Sequence, residues 1–201
     1  GTRLLLIREL MGDWSQDTPF AMTLEVEGAA RGGPWDEAWA LDEICHYAIE
    51  EFYLWFWMNN IYRNLPPNSV TPAQSAAAMG GSAAMATAQG YFELTEDEAV
   101  ILEWDPADAR LSGLSALNWW YIPIDSHRIS STINNHQALP NADGTITVVL
   151  SRSDPGVANW LDCGGLRHFL ITARWQGLPN EPVRQGARIA SRVVNQSQLE
   201  K

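Results

Sequence analysis

The sequence predicts a mostly β protein, an antiparallel β-sandwich or jelly roll that carries one long inserted α-helix over about residues 34–63. Short apolar segments follow one another after residue 90, with turn-forming residues between them, which is typical of antiparallel sandwiches. The long connection over residues 121–144 fits Greek-key geometry better than a simple meander. Helical periodicity is confined to one stretch in the first third of the chain. We expect residues 1–201 to form a single domain.

The first two strands are expected over residues 2–10 and 20–27, the second because Met22, Leu24 and Val26 alternate with polar residues. The helix is expected to begin at Pro34, since proline suits the first helical position. Its apolar residues recur with helical spacing up to residue 62. Residues 64–90 are rich in small side chains and are expected to form a loop.

Five further strands are expected over residues 91–94, 99–104, 114–121, 145–151 and 166–175. Turn signals separate them, among them Asp105-Pro106, Asp143-Gly144 and Gly164-Gly165. The tail beyond residue 180 has a weak apolar pattern that fits either a closing strand or a short helix.

The composition indicates a globular chain and excludes several classes of partner. The 201 residues include 24 Asp and Glu but 13 Lys and Arg, a net charge of −11. An acidic chain without a basic run is a poor binder of nucleic acid or of anionic membranes. The longest dense apolar run, residues 52–58, is too short to span a membrane. Six of the acids lie on the predicted helix, which indicates a solvated helix face.

The cysteines and the missing motifs argue against a metal or a cofactor. Cys45 and Cys163 are the only cysteines, and neither lies in a metal-binding or redox motif. Their number favours a reducing, cytoplasmic compartment over an oxidising one. The sequence contains no phosphate-binding loop, dinucleotide-binding motif, nucleophile elbow or zinc-protease motif. We therefore expect neither a metal site nor a cofactor.

The predicted helix contains one possible set of metal ligands. Asp42, Glu43, His46 and Glu50 are three or four residues apart, so they share one helix face. A Glu-x-x-His pair is half of the ligand set of carboxylate-bridged di-metal bundles. The sequence offers no second copy of the pair, so a solvated face is the favoured interpretation.

Asn118 and Trp120 are candidates for ligand binding. On a strand they would share one face, with Trp119 and Tyr121 on the other. An exposed indole beside an amide can stack on a sugar or a flat ligand. The alternative is that both tryptophans pack in the core or in an interface.

His136, beside Asn135, is a candidate general acid or base because its free pKa lies near neutrality. Asp154 or Asp162 would orient its ring. Alternatively, His136 caps a turn through a local hydrogen bond.

Residues 152–162 form the densest polar stretch. Arg152 could pair with Asp154 or Asp162, and the guanidinium could bind a carboxylate in a fork. Asn159 and Trp160 are further candidates for ligand binding. In the structural alternative, Asn159 and Asp162 tie the loop together and Trp160 fills the core.

This stretch resembles the bacterial family called domain of unknown function 1214. The resemblance is carried by Asp143-Gly144, by Asp154-Pro155-Gly156 with Asn159-Trp160-Leu161-Asp162 and Gly164, and by Arg174-Trp175; upstream it includes Asn118, Trp120, Asn135-His136 and Ala138. It implies a β-sandwich of jelly-roll type, similar to the C-terminal half of longer proteins, and it implies no activity. With that fold, the resemblance implies that the helix is an insertion that packs across the sheet. Gly165 stands where relatives carry a histidine, and the nearest histidine here is His168.

Three functions remain open. In the leading hypothesis the chain binds a small molecule or a carbohydrate in an aromatic-lined groove. In the second it is a hydrolase- or lyase-type enzyme that uses His136 with a nearby aspartate. In the third it is an interaction module that packs on a partner domain or forms a homo-oligomer. The third hypothesis predicts a large exposed apolar patch.

Overall fold

The computed structural model describes residues 15, 21–23, 25, 36–79, 81–179 and 186–199. The strand expected over 2–10 lies outside these residues. So does most of the one expected over 20–27, whose described residues are not in a strand. The elements are α1 (Glu37–Arg63), β1 (Ser69–Val70), β2 (Gln74–Ser75), β3 (Met85–Glu93), β4 (Glu98–Asp105), β5 (Leu111–Leu117), β6 (Thr132–Asn134), β7 (Ile146–Ser151), β8 (Trp160–Asp162), β9 (His168–Gln176) and β10 (Arg188–Asn195). The described chain is therefore mostly β, with one long helix.

The strands form two mainly antiparallel sheets. The six-stranded sheet has the order β1–β3–β9–β5–β6, with β2 also paired to β3. The four-stranded sheet has the order β10–β4–β7–β8, and in it β7 and β8 run parallel. The tail thus contributes a closing strand, β10, which pairs with the whole of β4.

A continuous apolar core lies between the two sheets. Alternate residues of β9 face inward, from Phe169 to Trp175, and Val100, Leu102 and Trp104 of β4 belong to the same cluster. The intervening residues of β9 then face the other way, away from the four-stranded sheet. Two-sided sheets of this kind give a sandwich-like fold with a free outer face on the six-stranded sheet.

Strand β3 begins at Met85, so the expectation of a loop up to residue 90 is wrong for its last residues. Ala86 and Ala88 are buried against the core. At Gly90 an added Cβ would lie 2.7 Å from the Phe92 ring and 2.9 Å from Ile171. The strand is built from small residues because the core leaves little room for side chains here. Alanine and glycine have low strand propensity, so no sign of a strand was visible in the sequence at these positions.

Strand β5 ends at Leu117, four residues before its expected end. The chain then turns, and the Asn118 carbonyl accepts a hydrogen bond from the Tyr121 amide at 3.0 Å. Tyr121 has a φ of 61°, outside the strand region. Strands β6 and β8 were not expected, because three residues are too few to show an alternating pattern.

Helix α1 begins at Glu37, not at Pro34, and Asp36 caps it by accepting a hydrogen bond from the Trp39 amide at 3.1 Å. Only its C-terminal half reaches the sheet, where Tyr62 is 5% exposed and packs with Leu117 and Leu170. The expectation that the helix packs across the sheet is therefore wrong for its N-terminal half.

Most of the apolar side chains of α1 are exposed. Twelve large ones are at least 39% exposed: Trp39, Leu41, Ile44, Tyr47, Ile49, Phe52, Tyr53, Leu54, Trp55, Phe56, Trp57 and Ile61. They lie on several sides of the helix, so the helical spacing noted in the sequence does not mark a single buried face. In the part of the chain that the structure describes, no helix has the length and hydrophobicity that a membrane span requires.

Candidate ligand-binding groove

Asn118 and Trp120 lie in the turn after β5, not on a strand face. The Asn118 Oδ1 accepts hydrogen bonds from the amides of Trp120 at 2.9 Å and Ile122 at 3.2 Å, so this side chain builds the turn. Trp120 is 61% exposed. Its neighbour Trp119 is half-buried and packs on Tyr91, with 5.1 Å between ring centroids. The two indoles thus separate into one packed and one solvated ring.

His136 is exposed and its ring Nε2 lies 3.1 Å from the Arg110 carbonyl oxygen. Among the described residues neither Asp154 nor Asp162 is hydrogen-bonded to it. Those carboxylates accept instead from the amides of Gly156 and Gly164, each at 2.7 Å, and so close their own turns. The acid–base set expected from the sequence is therefore not assembled.

Asn135 serves the adjacent edge of β5. The side-chain Oδ1 of Asn135 accepts a hydrogen bond from the backbone N–H of Ser112, and the backbone N–H of Asn135 donates to the Ser112 carbonyl oxygen, both at 2.9 Å. The Asn135 Oδ1 is therefore engaged with the backbone and is not available to accept a hydrogen bond from a ligand.

Arg152, Asn159 and Trp160 also have structural partners. Arg152 lies 3.7 Å from Glu96 and donates to the Gly165 carbonyl, so the expected pairing with Asp154 or Asp162 is wrong. Asn159, at a φ of 52°, exchanges two hydrogen bonds with the backbone of residue 139 and donates to that of residue 147. The Trp160 Nε1 donates to the Ser151 hydroxyl at 2.9 Å. The contacts of Asn159 match the structural alternative for residues 152–162, whereas Trp160 is only half-buried and does not fill the core.

The acids and imidazole of α1 remain solvated. His46 Nε2 lies 3.0 Å from Glu50, and both side chains are about two-thirds exposed or more. No cluster of three or more His, Cys, Asp or Glu side chains suited to a metal occurs among the residues described.

The outer face of the six-stranded sheet contains a groove with a volume of about 590 Å³. It lies over β5 and β9, between the C-terminal half of α1, the turn after β5, and β6. Small-molecule sites in proteins have volumes of about 300–1,000 Å³, so the groove is large enough for a ligand. None of the candidate residues from the sequence lines it.

An aromatic wall closes one side of the groove. Tyr121 stacks on Tyr62 with 4.8 Å between ring centroids and an interplanar angle of 7°. Trp55 lies on Tyr121 at 6.0 Å, and its Nε1 donates to Glu51 at 2.8 Å. Leu117 and Pro123 extend the apolar lining. The wall is thus assembled from the end of α1 and from the turn that follows β5.

The floor of the groove is polar and follows the strand register. Ser115 of β5 and Gln89 of β3 flank Thr172 of β9. The Tyr121 hydroxyl lies 3.1 Å from the Gln89 Oε1 and 3.3 Å from the Thr172 hydroxyl. Hydrogen bonds therefore hold the aromatic wall to the floor.

Arg174 is the one charged residue among the sixteen that line the groove. It is exposed, and it forms no ion pair with any described residue. On β5 its register partner is Gly113, which leaves no side chain beside it on that strand. The groove thus joins an aromatic wall to a single cation.

The lining favours recognition over acid–base chemistry. Burial raises the pKa of Tyr62 well above its ordinary range, and the nearby Tyr121 adds to this, whereas the positive charge of Arg174 opposes it. Tyr62 therefore stays a neutral phenol at all working pH values. The described lining includes no carboxylate, imidazole or thiol, and these are the groups that most often act as general bases or nucleophiles.

Arg174 was the residue missed in the sequence, although a signal was present. Ile171, Ala173 and Trp175 alternate with Thr172, Arg174 and Gln176, so the segment places Arg174 opposite the buried face. The aromatic wall had no such signal, because it forms only when the helix end meets a turn more than 50 residues later.

A second group of ionisable side chains lies further along the same sheet, where Glu93 of β3 pairs with His168 of β9. The Tyr91 hydroxyl bonds to Glu93 and lies 3.2 Å from the His168 Nδ1. Burial, followed by the hydrogen bond to Glu93, raises the pKa of Tyr91. Trp119 covers the His168 ring at 6.3 Å, and Arg63 lies 5.4 Å from the centroid of Trp119. These contacts link the end of α1 to β3 and β9.

Comparison with known proteins supports the fold. No protein-family model and no curated protein matches the sequence. An uncharacterised protein from Burkholderia cenocepacia is similar in structure, with a TM-score of 0.74 and 28% sequence identity over 87% of this chain and 48% of that chain. The VPA0106 protein from Vibrio parahaemolyticus has a TM-score of 0.42 and 12% identity, over 54% of this chain and 30% of that chain. This chain therefore spans about half the length of the Burkholderia protein, and the function must be argued from the site itself.

Proposed function

We propose that this protein binds a small molecule in the groove on the outer face of its six-stranded sheet. The observation that carries the proposal is the aromatic wall of Trp55 and Tyr121, supported from behind by the buried Tyr62, beside an open polar floor. Aromatic and aliphatic surface supplies most of the binding free energy in small-molecule sites, and a few polar groups fix the orientation. The groove has both parts, at a volume that suits a ligand of roughly drug size.

The experiment is a titration followed by amide chemical shifts in two-dimensional NMR. The probes are methyl glucoside, N-acetylglucosamine, cholate, hexanoate and indole-3-acetamide. We expect at least one of them to cause saturable shifts that cluster on β5, β9 and the turn after β5. If no probe causes a saturable shift there, the proposal is wrong.

A groove-filling variant provides the matched control. In Ser115→Phe the new ring projects from the floor into the groove, because Ser115 faces outward on β5. In Ala190→Phe the same ring is added at an exposed strand position of the four-stranded sheet. We expect the first variant to lose the shifts and the second to keep them. Equal binding by both would contradict the proposal.

A second candidate function is association with another protein surface through α1. Phe52 stacks on Phe56 at 6.3 Å and meets Tyr53 edge-on at 6.0 Å, so these rings form one patch, and each ring is at least 61% exposed. With about 200 Å² per aromatic side chain, the three rings expose roughly 350–400 Å². Together with the exposed apolar neighbours on α1, this reaches the size of the patches that mark interaction sites.

Sedimentation equilibrium tests this second function. We expect self-association that is lost in the double variant Phe52→Glu, Phe56→Glu, because charge on the patch opposes its burial. The control variant Trp120→Glu adds charge at another exposed aromatic position. A wild-type chain that stays monomeric at all concentrations would argue against a homo-oligomer.

We propose further that the chain is related to the domain of unknown function 1214 family and has its jelly-roll connectivity. The connections β3–β4, β4–β5, β6–β7, β8–β9 and β9–β10 all pass from one sheet to the other, which supports a Greek-key path. An experimental structure of a family member tests the relation, since its strand order must then match the one described above.

A further inference from the structure

We propose that the groove selects an anionic ligand, one that joins a compact apolar body to a carboxylate, and that Arg174 binds the carboxylate. This inference rests on the proposed function of the groove and adds the chemical class of the ligand. A planar guanidinium binds a carboxylate through two parallel hydrogen bonds, which a neutral amide cannot reproduce.

The charge distribution supports an anion at this point. Of the eight described arginines, three have a carboxylate partner: Arg128 at 3.5 Å, Arg152 at 3.7 Å and Arg188 at 3.4 Å. The other five have none among the described residues, and of those five only Arg174 lines the groove. In the groove Arg174 faces hydroxyls, amides and apolar side chains, with no acid in the lining. A net charge of −11 repels anions in general, so a lone guanidinium without a neighbouring acid suits a monoanion better than a phosphate.

The amides at the β6 side of the groove present donors. The Asn134 Oδ1 accepts hydrogen bonds from the amides of His136 at 2.9 Å and Gln137 at 3.0 Å. The Gln137 Oε1 accepts from the Asn134 amide at 3.1 Å. Backbone N–H groups can only donate, so they fix both side-chain oxygens as acceptors inside the turn. The Asn134 Nδ2 and the Gln137 Nε2 have no partner among the described residues.

The groove therefore offers hydrogen-bond donors on this side from three side chains: Arg174, Asn134 and Gln137. An ionised carboxylate is acceptor-only, so it complements such a set, whereas a carboxamide brings two N–H donors of its own. Gly113 lies between β6 and β9, opposite both Asn134 and Arg174 in the strand register, and it leaves this space free of a side chain.

The strand spacing sets the size of the ligand. Thr172, which meets the Tyr121 hydroxyl, and Arg174 are two residues apart on β9 and face the same side. Two residues of a strand span about 6.8 Å. The centre of an apolar ring against Tyr121 and a carboxylate at Arg174 are therefore expected within about 7 Å of each other, as in an arylacetate.

The test compares indole-3-acetate with indole-3-acetamide, which have the same ring and differ in the charge of the terminal group. Binding is followed by amide chemical shifts of β5 and β9. We expect the wild-type chain to bind the acetate at least about tenfold more tightly than the acetamide, because charge-assisted hydrogen bonds contribute more than neutral ones. Added salt reduces that preference.

The variants locate the preference. Arg174→Gln is expected to lower the affinity for the acetate to that for the acetamide, and Arg174→Lys to retain part of the difference. Asn134→Asp keeps both turn-closing acceptor bonds but replaces the Nδ2 donor with a negative charge, so it also weakens the acetate. Arg192→Gln is the matched control, since Arg192 is likewise exposed on a strand, in the four-stranded sheet. It should change nothing.

The outcomes separate the inference from the proposed function. Equal affinity of the wild-type chain for acetate and acetamide overturns the anion preference, while the groove remains a binding site. A preference that survives in Arg174→Gln overturns the assignment to Arg174. If neither indole binds but a neutral sugar gives saturable shifts in the groove, the ligand class is wrong and the proposed function stands.

Discussion

The core contains two buried tryptophans that differ in one respect: the indole N–H of one has a hydrogen-bond partner and that of the other has none among the described residues. Comparing their substitutions measures how much that hydrogen bond contributes to the free energy of unfolding. Trp104 on β4 and Trp175 on β9 are both 0% exposed in the core between the sheets. The Trp175 Nε1 donates to the Asp105 carbonyl at 2.8 Å. The Trp104 Nε1 is buried and has no hydrogen-bond partner within the described ranges. We predict that Trp175→Phe destabilises the protein much more than Trp104→Phe.

The loss of stability in each variant has two contributions: the lost side-chain volume, which is the same in both, and the hydrogen bonding of the indole N–H, which differs. Each substitution removes about 40 Å³ of side chain, which costs roughly 1 kcal/mol in residual cavity and about as much again in lost transfer free energy. Trp175→Phe also loses a hydrogen bond worth about 1 kcal/mol, so its total is about 3 kcal/mol. Trp104→Phe removes an unsatisfied donor whose burial costs about 1–3 kcal/mol, so its total is at most about 1 kcal/mol.

Urea unfolding at 25 °C, followed by circular dichroism in the far ultraviolet, measures both free energies of unfolding. The dependence of the free energy on urea concentration should be the same for all three proteins, because each unfolds from the same fold. We expect the two variants to differ by about 2 kcal/mol. Equal destabilisation would refute the reasoning, and it would show that the Trp104 N–H has a partner in solution, such as a buried water.

Three further predictions concern single groups. Burial, and next the charge of Asp162, raises the pKa of the Cys163 thiol to about 11, whereas Cys45 is exposed. A thiol reagent at pH 8 should therefore modify one cysteine in the native protein and both cysteines in the protein unfolded by guanidinium. Hydrogen bonds from Thr95 lower the pKa of Glu98, so its stabilising effect is present above the unfolded pKa of about 4.3 and is lost as the pH falls through the folded pKa. The difference in melting temperature between Glu98→Ala and wild type should therefore be present at pH 7 and shrink steadily as the pH is lowered into the acid range. Asn159→Ala should lower the free energy of unfolding in urea by about 3 kcal/mol, because three hydrogen bonds are lost and alanine is strained at a φ of 52°. Asn159→Gly loses the same hydrogen bonds without that strain and should lower it less. Equal losses in the two variants would rule out a contribution from backbone strain.

The strands that were predicted from the sequence are those with a clear pattern of burial. In β4 and β7, apolar residues lie on the core side at every second position, and turn residues mark both ends. The start of β3 was hidden because Ala86 and Ala88 are chosen by the space available and not by strand propensity. The distance between the two sheets decides which side chains fit at these positions, and the local sequence does not reveal that distance.

The helix was predicted, but its environment was not. Helical spacing of apolar residues usually marks a buried face, and that rule located α1. It failed for burial because residues of the spaced apolar face itself, such as Leu41, Ile44 and Phe52, are more than half exposed. An apolar pattern indicates which side chains gain from burial, whereas the partner that buries them depends on the rest of the assembly.

The candidate site was the least accessible part of the prediction. Asn118, Asn159 and Asp162 were chosen as polar residues beside aromatic ones, and each satisfies backbone groups in a turn. The same residue types, asparagine and aspartate, stabilise turns and bind ligands, so the sequence alone does not distinguish the two roles. Arg174 differs from them because it lines the groove and its guanidinium forms no hydrogen bond or ion pair with a described residue, and only the structure shows that.

The edges of the two sheets determine how this protein can meet other β-structures. Next to β3, the short strands β1 and β2 stand on either side of Pro72, which has no N–H to offer, and β6 and β8 have three residues each. Among the described strands only β10 is both long and at an edge. Among the described strands, β10 therefore offers the longest edge for strand exchange, fibril growth or capture of an extended peptide. The exposed Arg192 on this strand has no carboxylate partner among the described residues, and its charge opposes the approach of a second copy.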